Sequence, residues 1–148
     1  MNPQTPAELC IGRQALTLLE AVLVAAAPEE GCALLLGGRD PWCVRRVWPC
    51  LNVWEPAADR CRRFALDPRE QLLAQKWART RGLSVLGSAH SHPLSEPVPS
   101  ALDRSLAFTP TLMLILGQGP VAGGARSLAC WWLPEQGRPR RLTWRMDD

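Results

Sequence analysis

This 148-residue chain is short of histidine, with only two, and none of its six cysteines (Cys10, Cys32, Cys43, Cys50, Cys61 and Cys130) forms a Cys-x-x-Cys pair. The missing pair argues against a cysteine-based zinc finger. No apolar run approaches the roughly 18 residues that cross a bilayer, so no membrane partner is expected. Residues 1–6 are polar and no basic stretch precedes an apolar one, so nothing reads as a signal peptide. A cytoplasmic location with reduced thiols follows as the expectation. Most of the cysteines then read as small buried hydrophobes. One-sided charge is also missing. Seventeen basic against fourteen acidic residues give +3, too weak a bias for a nucleic-acid footprint. The basic residues concentrate somewhat between Arg39 and Arg81, a solvated surface or a face for an acidic partner. Repeats and long linkers are absent, so residues 1–148 are expected to form a single domain. An apolar fraction of 47% is enough for one core.

The elements can be read from periodicity. Residues 11–27 carry Ala15, Leu18, Leu19, Val22 and Leu23 on an i, i+3, i+4, i+7, i+8 stripe, which predicts an amphipathic helix ending at Pro28. Residues 32–36 form a short apolar run that reads as a buried strand, with Gly37 and Gly38 as its turn. Residues 42–48 read as the next antiparallel strand, 52–60 as loop and 63–66 as a brief strand. Asp67 and Pro68 look like an N-cap followed by proline at the first helical position. That helix runs to about Arg81, with Leu72, Leu73 and Trp77 facing the core and Gly82 as its stop. Residues 83–89 read as a strand that delivers His90. Residues 94–99 form a rigid loop, and Ser100 caps a short helix with Asp103 at its N3 position. Residues 111–116, 127–133 and 140–145 read as three further strands, with a flexible turn at 117–124. The pattern is mixed α/β, with an antiparallel or mixed sheet flanked by helices.

Both histidines fall in one stretch, Gly87-Ser88-Ala89-His90-Ser91-His92-Pro93, and Ser100-Ala101-Leu102-Asp103 follows. Residues two apart on a strand share a face, so His90 and His92 converge while Ser91 points away. Asp103, one turn into the next helix, can reach the same point. Two imidazoles and a carboxylate are zinc ligands, and three protein ligands leave the fourth tetrahedral position open, as in catalytic sites. Ser100 lies three residues before Asp103, on the same helical face, where its hydroxyl can sit beside a metal-bound water or a substrate oxygen. Hydrolysis also needs a general base near the metal. The candidates are Glu29 and Glu30, at the entrance to the 32–36 strand, and periodicity does not choose between them.

Pro28-Glu29-Glu30-Gly31-Cys32-Ala33-Leu34-Leu35-Leu36-Gly37, the His-x-His-Pro stretch, and Ser100-x-x-Asp103 together resemble the JAMM (MPN+) zinc metalloproteases. Their motif is an upstream glutamate, His-x-His, about seven residues, then Ser-x-x-Asp. Asn52 and Arg63-Phe64-Ala65-Leu66-Asp67-Pro68 resemble the small bacterial branch, and the likeness covers residues 16–132. Ala33 departs from a common glycine, and Ser88-Ala89 from bulkier residues. Neither change removes a ligand. The resemblance implies a single-domain MPN (JAB) α/β fold with a cytidine-deaminase-like mixed β-sheet flanked by helices. It implies one zinc ion on His90, His92 and Asp103, with Glu30 rather than Glu29 as general acid/base and Ser100 stabilising the oxyanion. It further implies hydrolysis of a peptide or isopeptide bond at the C-terminal glycine end of ubiquitin-like proteins of the sulfur-carrier type.

Two other classes fit the residues less well. A catalytically inactive binding or scaffold domain of the same fold is expected to lose ligands, and this chain keeps them. A zinc nucleobase deaminase needs His-x-Glu and Pro-Cys-x-x-Cys, and the chain has neither. Cys32 reads as a packed thiol, since no third histidine is present to activate it. The seven tryptophans (Trp42, Trp48, Trp54, Trp77, Trp131, Trp132 and Trp144) read mainly as core or edge packing, with one or two available to line a groove for an extended tail.

Overall fold

A computed structural model describes residues 5–148; the start of the polar opening segment, residues 1–4, lies outside the described residues. The elements run β1 (Glu8–Gly12), α1 (Arg13–Ala25), β2 (Cys32–Arg39), β3 (Trp42–Cys50), a 3-10 turn (Ala57–Asp59), α2 (Pro68–Thr80), β4 (Ser84–Ser91), α3 (Ala101–Leu106), β5 (Thr111–Gln118), β6 (Arg126–Leu133) and β7 (Arg140–Asp147). The strands form one mixed sheet in the order β1-β3-β2-β4-β5-β6-β7, which closes because β1 also pairs in parallel with β7.

β2 shows how the layers form. Its odd side chains, Ala33 and Leu35, join the main core with Ala15, Leu19 and Leu23 of α1. Its even side chains, Leu34 and Leu36, pack with Ala74 and Ala78 of α2 on the other face. A strand covered on both faces shows no polar alternation, which explains the unbroken apolar run of residues 32–36. β4 lies antiparallel beside β2, and β5 parallel beside β4, with α3 in the crossover. Met113, Ile115 and Leu133 form a third cluster with Trp131 and Ala107, just beyond α3.

Several expectations need correction. The helix expected over 11–27 starts at Arg13, because residues 8–12 are strand β1. Leu9, Cys10 and Ile11 are all buried between β3 and β7, so five residues without alternation gave no strand signal. On α1 the buried stripe is Ala15, Leu19 and Leu23, and Leu18 is exposed. Gly37 and Gly38 are not the turn: β2 continues to Arg39, with a register shift between Leu36 and Gly37. A Cβ on Gly37 would stand 1.8 Å from the Cys43 carbonyl oxygen, so this glycine serves a close backbone approach at a bulge. Likewise Gly117 belongs to β5 rather than to the following turn. Residues 63–66 belong to no strand.

The second helix also turns a different face. Asp67 caps α2 by accepting from the Arg69 N–H at 2.9 Å, Pro68 opens it, and Gly82 follows it at φ +70°. Yet Leu72 and Leu73 are 62% and 53% exposed, while Ala74 and Ala78 are buried. Alanine on the inner face lets the helix sit close to Leu34 and Leu36, and Trp77 fills the margin against Trp48, ring centroids 6.1 Å apart.

Candidate metal centre

β4 ends where the site begins. His90 pairs with Cys32 of β2, and beyond it Ser91 bonds twice to Gly31: the Ser91 N–H donates to the Gly31 carbonyl at 3.0 Å, and the Ser91 Oγ accepts the Gly31 N–H at 2.8 Å. The next N–H, that of His92, donates to Leu116 of β5 at 2.8 Å. Successive residues thus tie the end of β4 to its two neighbours in turn, Ser91 to the mouth of β2 and His92 to β5. Ser91 is buried and hydrogen-bonded rather than idle on the far side of the strand.

The loop after Pro93 is held tightly. Trp131 Nε1 donates to the Pro97 carbonyl at 2.9 Å, and the Gln118 N–H donates to the Ser95 carbonyl at 2.8 Å. A Cβ on Gly117 would stand 2.6 Å from Pro97 N, so glycine there lets the loop lie on β5. This fixes the Glu96 carbonyl, which accepts from His92 Nδ1 at 2.8 Å. A carbonyl only accepts, so Nδ1 carries the proton and Nε2 is the nitrogen turned toward the site.

Asp103 enters from α3. Ser100 Oγ accepts the Asp103 N–H at 2.9 Å, and Asp103 Oδ2 accepts the Ser100 N–H at 3.0 Å, a reciprocal capping box. The same Oδ2 lies 3.0 Å from His90 Nε2 and 3.1 Å from His92 Nε2, and the two nitrogens are 3.1 Å apart. Glu30, 4% exposed at the mouth of β2, completes the group: ligand atoms of Glu30, His90, His92 and Asp103 all lie within 4.8 Å of one another. Glu29 stays outside it. The backbone of Glu30 is fixed from both sides, since its N–H donates to the Arg60 carbonyl at 2.7 Å and its carbonyl accepts from Asn52 Nδ2 at 3.0 Å.

The electrostatics follow from burial without full pairing. Burial pushes the Glu30 carboxyl up to about 7, His92 opposes this, and the Asp103 charge adds to it. Glu30 Oε1 is buried and finds no hydrogen-bond partner among the described residues. Burial also works against the charge on Asp103, but bonds from both histidines hold its carboxyl far below the usual range. For His90 burial wins and lowers the imidazole. For His92 burial is outweighed by Asp103 and the Glu96 carbonyl, which raise it. Cys32 is fully buried, and burial first, then the Cys50 thiol and the Glu30 carboxyl, push its thiol up to about 12, in keeping with a packed thiol.

This donor set fits a metal ion. Ligands at 2.0–2.1 Å in a tetrahedron stand about 3.3–3.4 Å apart, and the three atoms here stand only a few tenths closer. With Nδ1 of His92 protonated, a neutral ring aims a lone pair at the Asp103 oxygen. One positive charge between them, a proton or a cation, removes that repulsion. A second group, Cys10, Cys43 and Asp147, also converges, but it suits a cation poorly. Arg45 already pairs with Asp147 at 2.9 Å, and burial first, then the Cys10 thiol, pushes Cys43 up to about 12.

Beside Asp103 lies a groove of about 430 Å³, lined by Leu34, Phe64, Leu66, Leu102, Leu106 and Met113 among others. Among the described residues no tryptophan lines it. Trp42 and Trp132 are instead an edge-to-face pair, centroids 5.5 Å apart. Sequence reasoning did not anticipate Phe64, which lies near the metal-site residues: its ring stacks on His90 with centroids 4.3 Å apart and planes 21° apart. Nothing in a lone aromatic of an irregular segment signals such a partner.

The closed mixed sheet and its buried pair of histidines and pair of carboxylates define an α/β domain equipped for a metal ion. Residues 13–133 match the family of prokaryotic homologs of the JAB domain, and the chain belongs to that family. It is 36% identical over 89 residues to a desampylase of Haloferax volcanii, a match covering 60% of this chain and 62% of that protein. It is 37% identical over 95 residues to a probable TtuB-protein conjugate cleaving protease of Thermus thermophilus, covering 64% and 60%. The chain thus spans about three fifths of the length of these curated relatives. A solution structure from Desulfitobacterium hafniense superposes with a TM-score of 0.80 at 30% identity, covering 95% of this chain and 93% of that one. A crystal structure of a JAB1/MPN domain protein from Archaeoglobus fulgidus superposes at 0.53 and 26% identity, covering 90% and 96%. Among the described residues no helix is long and apolar enough to cross a membrane.

Proposed function

We propose that this chain is a zinc-dependent peptidase of the cytoplasm, one catalytic domain over residues 1–148. Its substrate is a ubiquitin-like protein of the sulfur-carrier type, and it hydrolyses the peptide or isopeptide bond that follows the carrier's C-terminal glycines. The observation that carries this reading is the convergence of Glu30 with His90, His92 and Asp103 in one buried cluster, with Asp103 also lining a largely apolar groove. The relatives named for desampylation and for cleaving TtuB conjugates support the substrate class.

In this reading Nε2 of His90, Nε2 of His92 and a carboxylate oxygen of Asp103 hold the ion. When bound, zinc acts as a Lewis acid toward the scissile carbonyl and acidifies water. Glu30 is the general base. Its carboxylate, buried beside the histidines, takes a proton from the attacking water and returns it to the leaving nitrogen. Ser100 stabilises the oxyanion: its Oγ accepts from Asp103, and its own O–H has no acceptor among the described residues, which leaves that proton for the substrate oxygen. The groove walls offer apolar contact to an extended tail.

The test is incubation of the zinc-loaded full chain with a ubiquitin-like sulfur carrier extended past its Gly-Gly end, read by mass. Cleavage after the second glycine, abolished by a chelator and restored by zinc, is the expected result. Failure to cut the carrier or any peptide would favour the inactive binding domain.

A further inference from the structure

The two histidines of the centre are oriented by different means. His92 is fixed by a hydrogen bond, its Nδ1–H donating to the Glu96 carbonyl. His90 has no equivalent: its Nδ1 is fully buried and meets no hydrogen-bond partner among the described residues. A metal-ligating histidine ordinarily gains its orientation from a partner on the second nitrogen. His90 has the Phe64 ring instead, stacked nearly parallel at 4.3 Å.

Phe64 is itself held in place. Asn52 Nδ2 donates to the Arg63 carbonyl at 2.9 Å, and Asn52 Oδ1 accepts the Ala65 N–H at 3.2 Å. One amide side chain therefore grips the backbone on both sides of Phe64. The same Nδ2 lies 3.0 Å from the Glu30 carbonyl. The segment belongs to no strand; one backbone bond, from the Val53 N–H to the Ala65 carbonyl at 3.0 Å, and the Asn52 amide together hold it.

We propose that Phe64 is the positioning residue for His90: its ring, fixed by Asn52, sets the plane of the imidazole and so the aim of Nε2 at the metal. The proposal rests on the metal-centre reading above. It differs from a substrate-contact role, which the place of Phe64 in the groove wall also suggests. A groove contact acts on substrate affinity, whereas a positioning residue acts on the metal with no substrate present.

The experiment compares the full-length wild type with Phe64→Leu, Phe64→Ala and Phe64→Trp. Zinc affinity is read by competition with a chromophoric chelator, and ligand geometry by the visible absorption of the cobalt(II)-loaded protein. Melting curves confirm that each variant is folded, and leucine keeps the site apolar and filled if alanine does not fold. Phe64→Leu and Phe64→Ala should weaken zinc binding roughly tenfold to a hundredfold, the range for losing a group that orients a metal ligand. Their cobalt spectra should change, and Phe64→Trp should restore both properties. Zinc affinity within twofold of wild type and an unchanged cobalt spectrum in folded Phe64→Leu would overturn the proposal, even if peptide cleavage fell. If the wild type bound no zinc, or His92→Ala bound it equally well, the metal-centre reading itself would fall, a result distinct from the first.

Discussion

Ser91 Oγ accepts the Gly31 N–H at 2.8 Å, and this bond ties the residue after Glu30 to the residue between the two histidines. A side-chain oxygen and the Ser91 N–H together complete the β2–β4 pair at the end of β4. Ser91→Ala would leave a buried N–H without its acceptor, a loss of about 1–3 kcal/mol. Both imidazoles keep their own contacts, so zinc content should stay near wild type. Glu30 would lose its register against them, and kcat should fall about tenfold or more, since small misplacements are costly in catalysis. Ser91→Thr keeps the oxygen and should recover most of the rate. Parallel zinc and kcat determinations check this, and equal loss of both would contradict it.

Asp103 and Ser100 share one capping box but should separate in their effects. Asp103→Asn removes the negative charge facing two imidazoles, and His92→Ala removes a donor. Each should take the protein from about one zinc per chain to nearly none by elemental analysis. Ser100→Ala removes the cap, about 1 kcal/mol of stability, and should leave zinc in place. Its kcat should fall roughly tenfold to a thousandfold, the range for losing one oxyanion donor. Equal zinc loss in Asp103→Asn and Ser100→Ala would contradict this division of roles.

Much of the centre was legible because its chemistry is local in sequence. His90 and His92 share a strand face, and Asp103 follows Ser100 by one helical turn, so short spacings place three donors. The choice between Glu29 and Glu30 needed either a resemblance or the fold, because it depends on how residue 31 meets Ser91 sixty residues later. β1 was invisible for a related reason. Its partners, β3 and β7, bury Leu9, Cys10 and Ile11 without alternation, and the closure of the sheet depends on that strand. Side-chain size points to the wrong face of α2: Ala74 and Ala78 bury because the helix lies close to β2, which leaves Leu72 and Leu73 outside. Phe64 and Asn52 act through backbone held in an irregular loop, where no periodicity exists to be read.

The raised Glu30 carboxyl predicts a pH-dependent cost in the metal-free protein. Its folded value of about 7 lies above its ordinary 4.5, so between these values the folded chain holds more protons than the unfolded one. Stability therefore falls as pH rises from about 4.5 through about 7. Glu30→Gln has no charge to desolvate. At pH 8 the chelator-treated variant should exceed chelator-treated wild type by on the order of 1 kcal/mol, roughly 2–4 °C in Tm for a chain of this size. The gap should narrow toward pH 5. Zinc should shrink it as well, since a neighbouring cation favours the carboxylate. Melting both proteins at pH 5 and pH 8, with and without zinc, checks the sign, and a wild type that outlasts the variant at pH 8 without metal would refute it.

The same substitution separates binding from chemistry. Glutamine nearly matches glutamate in shape and can still hydrogen-bond water, but it takes up no proton and delivers none to the leaving nitrogen. Glu30→Gln should therefore keep its zinc and its fold while losing about 10² to 10⁴ in rate, the usual contribution of general acid–base catalysis. The upper end is expected, because one residue serves in both directions. Glu29→Gln should be nearly silent. Consecutive side chains entering a strand point in opposite directions, and Glu29 lies outside the cluster that contains Glu30. The assay is cleavage of the extended sulfur carrier, with zinc content measured on the same samples. If Glu29→Gln were the inactive variant, the register of Gly31 against Ser91 would be wrong by one residue. If both variants cut at the wild-type rate, Glu30 would not be the general base, and its burial beside the histidines would need another explanation.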